Sequence, residues 1–297
     1  MVITGSDTQG IDDLKSYLSE CFKMKDLGSL SYFIGTSSTG YFLSQVKYAS
    51  EIVQRAGLSD NKVTDTPLEL NIKYSSTDGT LLSNPTLYSK LVGSLNYLTI
   101  TRSYISHVVH IVSQFMSAPR STRYAAVLKI LRYIKGSLYQ GLCFSSKSDH
   151  TLPAYSDLDW AGDVTDRRSI TGYCVFLGDS LISWRSKKKS VVSRSSAEAK
   201  YKSLVHTMSE LIWLRWLLCD MRVQLSTSTP VYCDNKATIQ ITHNDVFHER
   251  TKHIDIDCHF TRHHLKKKVQ SLFRMSNQNF KWLISSPRLT LHLVFNF

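Results

Sequence analysis

The sequence predicts a mixed α/β protein in which a largely helical first part precedes a layer of three successive strands, a helix, a strand and a helix. Three observations lead there. Apolar residues between Tyr88 and Ile134 recur at helical spacing, those between Leu152 and Val192 fall into short runs separated by turn residues, and Ser195 to Met221 carries the strongest helical stripe in the chain.

The elements follow in order. Met1 to Gly5 reads as the end of a buried strand running into turn residues, and a strand at residue 1 is expected of a truncated chain. Ile11 to Met24 has Leu14, Leu18, Cys21 and Phe22 at helical period. Leu30 to Ile34 and Tyr41 to Leu43 make a hairpin around a polar loop over Gly35 to Gly40. Gln45 to Ala56 is a helix stopped by Gly57, and Ser59 to Gly79 is a polar connection. Leu91, Leu95 and Leu98, then Ile105, Val108, Val109, Val112 and Phe115, give two helices broken around Thr101-Arg102-Ser103. A third helix, Tyr124 to Ile134, stops at Gly136, and Arg120, Arg123, Lys129, Arg132 and Lys135 are expected to form a basic flank.

The polar stretch Cys143 to His150 marks a domain boundary, giving units 1–142 and 143–270 and a divergent tail 271–297. Strands are expected at Leu152 to Trp160, Ile170 to Leu177, Leu181 to Val192 and Thr229 to Asp234. The long helix Ser195 to Met221 sets Tyr201, Leu204, Val205, Met208, Leu211 and Ile212 on one stripe. Short helices follow at Lys236 to Thr242 and Lys252 to Lys267.

A formal net charge of +12 over 297 residues predicts polyanionic partners, and Arg185-Ser186-Lys187-Lys188-Lys189 and Lys266-Lys267-Lys268 concentrate it in the second half. The six cysteines form no CxxC pair, which argues against a zinc site or a disulfide framework and fits a reducing compartment. No apolar run approaches the roughly 20 residues that span a bilayer, and no signal-peptide pattern opens the chain. The expectation is a soluble intracellular protein of the cytoplasm or nucleus. His259 and His263 are four apart on the expected last helix, but basic helix surface explains the histidine-rich stretch better than a metal.

The chemistry is carried by carboxylates. Tyr155-Ser156-Asp157-Leu158-Asp159-Trp160-Ala161-Gly162-Asp163 sets Asp157 and Asp159 on one face of a strand, with Asp163 in the turn beyond. Glu198 stands in Ser195-x-x-Glu198, which is also the pattern of a capping box. Asp234 ends one strand and precedes a helix, where α/β sheets present ligands, or where it would serve as an N-cap. Carboxylates delivered by a strand, a helix start and a strand end are hard oxygen ligands suited to divalent metal.

These motifs carry a resemblance. Phe42-Leu43-Ser44-Gln45, Leu91-Val92-Gly93-Ser94-Leu95 and Ile130-Leu131-Arg132-Tyr133-Ile134-Lys135-Gly136, then the Asp157 motif, Ser195-Ser196-x-Glu198-Ala199-x-Tyr201, Tyr232-Cys233-Asp234-Asn235 and Arg250-Thr251-Lys252-His253-Ile254-Asp255, resemble in order the C-terminal part of the Pol polyprotein of copia-type LTR retrotransposons. The resemblance covers about the first 270 residues. It implies the end of a reverse transcriptase palm with a helical thumb and connection, then a ribonuclease H-like mixed sheet with flanking helices. The paired aspartates of the polymerase motif would precede Met1, so no competent polymerase is expected from this chain alone.

The resemblance further implies hydrolysis of the RNA strand of RNA–DNA hybrids with Mg²⁺, or Mn²⁺, held by Asp157, Glu198 and Asp234. The family usually carries two glutamates at the helix start, and Lys200 stands in the second place here. Glu198 and Lys200 lie roughly 160° apart on a helix, so periodicity does not choose which faces the site. The family's last carboxylate, beyond one more strand, has no counterpart in 271–297. The alternative expectation is a catalytically dead remnant that at most binds nucleic acid.

Overall fold

The computed structural model describes residues 7–21, 34–68, 78–161, 166–193, 195–223, 225, 228–243, 257–261 and 273–277. The expected strand at Met1 to Gly5, the motif position Asp163 and the basic run at Lys266 lie outside them. The first part opens with α1 (Thr8–Cys21), followed by the hairpin β1 (Ile34–Ser37) and β2 (Gly40–Ser44). The hairpin is tighter than its composition implies, because Ser37 pairs with Gly40 and only Ser38 and Thr39 form the loop. Gly40, at φ 146°, lies so close to the Phe144 carbonyl that any Cβ would collide with it.

Helices α2 (Val46–Arg55), α3 (Pro85–Leu98), α4 (Ser106–Ser113) and α5 (Ser121–Gly136) pack into the first core, with a 3-10 turn at Ser103–Ile105. Asn84 caps α3 by accepting the Leu87 amide at 3.3 Å, and Pro85 sits at the first turn, where a missing N–H costs nothing. Leu91, Leu95, Leu98, Ile105, Val109, Val112, Ile130 and Ile134 are buried together, as their spacing implies. Tyr88 joins them and donates its hydroxyl to the Val112 carbonyl at 2.7 Å, which satisfies the one polar atom it brings inside.

The expected basic flank of α5 is corrected by its contacts. Arg123 is buried, donates to the Asp78 carbonyl at 2.8 Å and lies 4.4 Å over the Phe115 ring. Arg120 donates to the Gly79 carbonyl, Lys135 to the Leu58 and Asp60 carbonyls, and Arg132 lies 3.7 Å from Asp60. These cations close loops onto the helix. A charge count cannot separate that role from a solvated surface.

Strand β3 (Gly141–Ser145) pairs antiparallel with β2, giving a three-stranded sheet in the order β1-β2-β3. The second sheet has five strands in the order β6-β5-β4-β7-β8, built from β4 (Ala154–Asp159), β5 (Ile170–Leu177), β6 (Ser180–Lys188), β7 (Thr229–Cys233) and β8 (Phe273–Asn277). The first three run as an antiparallel meander, while β7 and β8 are added parallel on the far side of β4. Strand β8 falls in the stretch expected to be a divergent tail. Its backbone extends the sheet, so the tail begins with a fifth strand.

Helix α6 (Ser196–Asp220) lies on this sheet, burying Tyr201, Leu204, Met208, Leu211, Leu214 and Leu218. Leu204, Met208, Leu211, Leu214 and Leu218 pack with Leu152, Ala154, Val175 and Val231. Helix α7 (Lys236–His243) follows β7, and of the expected last helix residues 257–261 are described and helical. A mixed sheet with flanking helices, preceded by a helical part, is the expected fold class. No described helix is long and apolar enough to cross a membrane.

Candidate functional site: an acid pair with a lysine, beside a basic cleft

Register places the first two candidates together. In the parallel ladder Tyr155 pairs with Tyr232 and Ser156 with Cys233, so one residue further along each path Asp157, inside β4, comes beside Asp234, just past the carboxyl end of β7. The tyrosine rings stack with centroids 4.9 Å apart, and Phe176 packs edge-on against Tyr155. That aromatic cluster fixes the register two residues before the acids. Behind β4, Ser156 and Ser203 share a hydrogen bond at 3.2 Å, and the Ser203 hydroxyl lies 3.1 Å from the Asp157 carbonyl, pinning α6 to the strand.

Burial pushes the Asp157 carboxyl above its ordinary range, and Asp234 pushes the same way. The Leu158 amide, donating to Oδ1 at 2.7 Å, and the Lys200 ammonium pull against them. Asp234 is nine-tenths buried. Its Oδ2 accepts from Lys200 Nζ at 2.5 Å, and its Oδ1 has no hydrogen-bond partner among the described residues. A hydrogen bond between two charged groups is stronger than one between neutral groups.

Glu198 is not brought to that pair. Its amide donates to the Ser195 hydroxyl at 3.1 Å, the N-cap half of a capping box, and its carboxylate accepts from Lys202 Nζ at 2.8 Å, one turn along α6. The helix therefore turns its second family position, Lys200, toward the acids, and the expected triad Asp157, Glu198, Asp234 does not assemble. Among the described residues no three His, Cys, Asp or Glu side chains are grouped to hold a metal ion. Asp159 is exposed at the end of β4. Trp184 packs beside Leu142 and Phe176, Tyr232 stacks on Tyr155, and Tyr173 packs at the edge of the α6 core.

A cleft of about 590 Å³ opens between the β5–β6 strands and α6, lined by Arg168, Arg185, Lys187, Lys188 and Lys189 together with His206. Lys188 reaches Asp166 and Gln114, both at 2.9 Å. Arg185, Lys187 and Lys189 make no ion pair among the described residues. Burial, with Lys202, Arg185 and Lys187 acting the same way and Asp257 opposing, lowers the Lys189 ammonium to about 8. His206 is lowered by burial and by Lys189, Arg185 and Lys187, with Asp257 opposing. The sequence had marked the 185–189 run, but not Ser203, His206 and Glu210, which line the same cleft at i, i+3 and i+7 on α6. That polar stripe at helical period was the available signal.

Residues 1–70 match the protein family described as Reverse transcriptase (RNA-dependent DNA polymerase). Over 283 residues the chain is 39% identical to the Retrovirus-related Pol polyprotein from transposon RE1 of Arabidopsis thaliana, a match covering 94% of this chain and 19% of that protein. It is 36% identical over 295 residues to the Retrovirus-related Pol polyprotein from transposon TNT 1-94 of Nicotiana tabacum, covering 94% of this chain and 22% of that protein. An uncharacterized mitochondrial protein of Arabidopsis thaliana is 42% identical over 217 residues, covering 72% of this chain and 90% of that one. The chain thus spans about a fifth of the length of these Pol polyproteins. Among solved structures, an RNase H1 isolated from compost overlaps 49% of this chain and 93% of its own at 14% identity, with a TM-score of 0.31.

Proposed function

The chain belongs to the retrovirus-related Pol polyproteins of copia-type transposons, and on that premise we propose that its second half binds RNA–DNA hybrid through the cleft beside α6. The observation that carries the reading is the group Arg185, Lys187 and Lys189, cations that line a single cleft and make no ion pair among the described residues, with Lys189 partly desolvated. Cations crowded in this way repel one another and gain most from a ligand with closely spaced negative charges, which a phosphodiester backbone supplies.

Divalent metal fits the neighbouring acids poorly. Mg²⁺ or Mn²⁺ would take hard oxygens from Asp157 and Asp234 and would supply an activated water when bound. Lys200 engages one oxygen of Asp234, Lys202 engages Glu198, and one Asp157 oxygen accepts the Leu158 amide. Few oxygens remain. Hybrid binding is therefore favoured over hydrolysis. Metal-dependent hydrolysis of the RNA strand is the second reading, favoured by the adjacency of Asp157 and Asp234 and by the partnerless buried Oδ1.

The test is one preparation of the full chain given a labelled RNA–DNA hybrid in Mg²⁺, in Mn²⁺ and in EDTA, with Asp157→Asn beside it. Binding that survives EDTA without cleavage is the expected result. Cleavage abolished by Asp157→Asn would replace it with the hydrolytic reading, and absence of binding at low salt would overturn both.

A further inference from the structure

We propose that Lys200 is the resident cation of the Asp157–Asp234 pair, its ammonium doing for the two carboxylates what a divalent ion would otherwise have to do. The parallel register forces the acids together beside the carboxyl end of β7, where burial already disfavours the charge of Asp157. Two such groups side by side need a positive partner. Lys200 supplies it at 2.5 Å from Asp234 Oδ2, with its side chain 17% exposed against 10% for the aspartate. A contact so enclosed is screened little by salt.

Two further observations make the assignment specific. Glu198, two residues earlier on α6, has its own lysine in Lys202, so Lys200 is left to the aspartates. Asp234 Oδ1 is buried with no hydrogen-bond partner among the described residues, so the site holds an oxygen that one ammonium does not satisfy. Removing the ammonium would free Oδ2 beside it, two hard donors on one carboxylate with Asp157 adjacent, an arrangement that favours a divalent cation. The fixed positive charge both blocks one oxygen and repels an incoming ion. The inference goes beyond hybrid binding and does not depend on it, because the property concerned belongs to the protein alone.

The experiment measures Mn²⁺ binding to the full chain by the loss of free-ion paramagnetic resonance, with thermal unfolding in EDTA and in Mn²⁺ at matched ionic strength. Wild type is compared with Lys200→Gln and with the double variant Lys200→Gln/Asp157→Asn. The expected result is that Lys200→Gln binds Mn²⁺ roughly tenfold or more tighter than wild type. It should also unfold at lower temperature in EDTA, recover in Mn²⁺, and lose the gain in the double variant. Equal affinity of wild type and Lys200→Gln, or a gain that persists in the double variant, would overturn the proposal. Should Lys200→Gln fold under neither condition, Lys200→Arg carries the test. Folding in EDTA without tight Mn²⁺ binding supports a resident cation, and unfolding in EDTA overturns it.

Discussion

Arg102 and Arg123 in the first half carry the same charge as Arg185 and Lys187 in the second, yet their surroundings differ completely. Arg102 is wholly buried, and its guanidinium donates to the Ser137 carbonyl at 2.6 Å, the Leu138 carbonyl at 2.5 Å and the Tyr104 hydroxyl at 2.8 Å. It ties the turn after α3 to the end of α5. Arg185 and Lys187 line the open cleft, with no ion pair among the described residues. A fan of donors directed at backbone carbonyls makes a cation part of the fold, whereas cations grouped against each other remain available to an anion.

The largest effect should come from breaking the first kind. Arg102→Met would leave the Ser137 and Leu138 carbonyls without their donor, and a loss of about 3 kcal/mol is expected in urea unfolding of the full chain. Affinity for hybrid per folded molecule should stay unchanged. A loss below about 0.5 kcal/mol would mean that water replaces the guanidinium and that the contrast between the halves is false.

A smaller effect, on binding, is expected from the second kind. Lys187→Ala should leave stability within about 0.5 kcal/mol, weaken hybrid binding several-fold at low salt, and reduce the slope of log affinity against log salt by about 1. An unchanged salt slope would remove Lys187 from the contact.

The finest probe is pH. Lys189 is charged below about 8 in the folded chain and below about 10.4 in the unfolded one. Between those values the unfolded state binds more protons, so this residue's contribution to folding stability rises with pH. Hybrid affinity should fall over the same rise, as the cleft loses a positive charge. The two trends run in opposite directions, and Lys189→Ala should flatten both.

Helices α3, α4, α5 and α6 were legible because apolar period dominates in each. Leu91, Leu95 and Leu98, like Leu204, Met208 and Leu211, announce a buried stripe that the folded chain keeps. Strand β8 was not legible: Phe273 to Asn277 is a short edge segment joined by backbone pairing to β7, and backbone pairing leaves no side-chain period to read. At the site, Asp157 could be read from its place within a strand motif and Asp234 from its strand-end position. Which of Glu198 and Lys200 faces them could not, because both lie equally far from the centre of the apolar stripe. Rotation of α6 on the sheet decides it, and that is fixed by remote contacts such as Ser203 on Ser156. Arg123 was misplaced for a similar reason, since only the Asp78 carbonyl and the Phe115 ring reveal that it points inward.

The parallel pairing of β4 with β7 carries a consequence in time as well as in space. Between the two strands the chain must complete β5, β6 and the whole of α6, so their ladder closes a long loop, whereas the β4–β5–β6 meander forms from neighbours. Loop closure makes such a pairing a late event in folding. Until it happens Asp157 and Asp234 are far apart and Lys200 has no pair to neutralise. A nascent or partly folded chain can therefore possess the hairpins of the second sheet, and the cations that β6 carries, before it possesses the acid site.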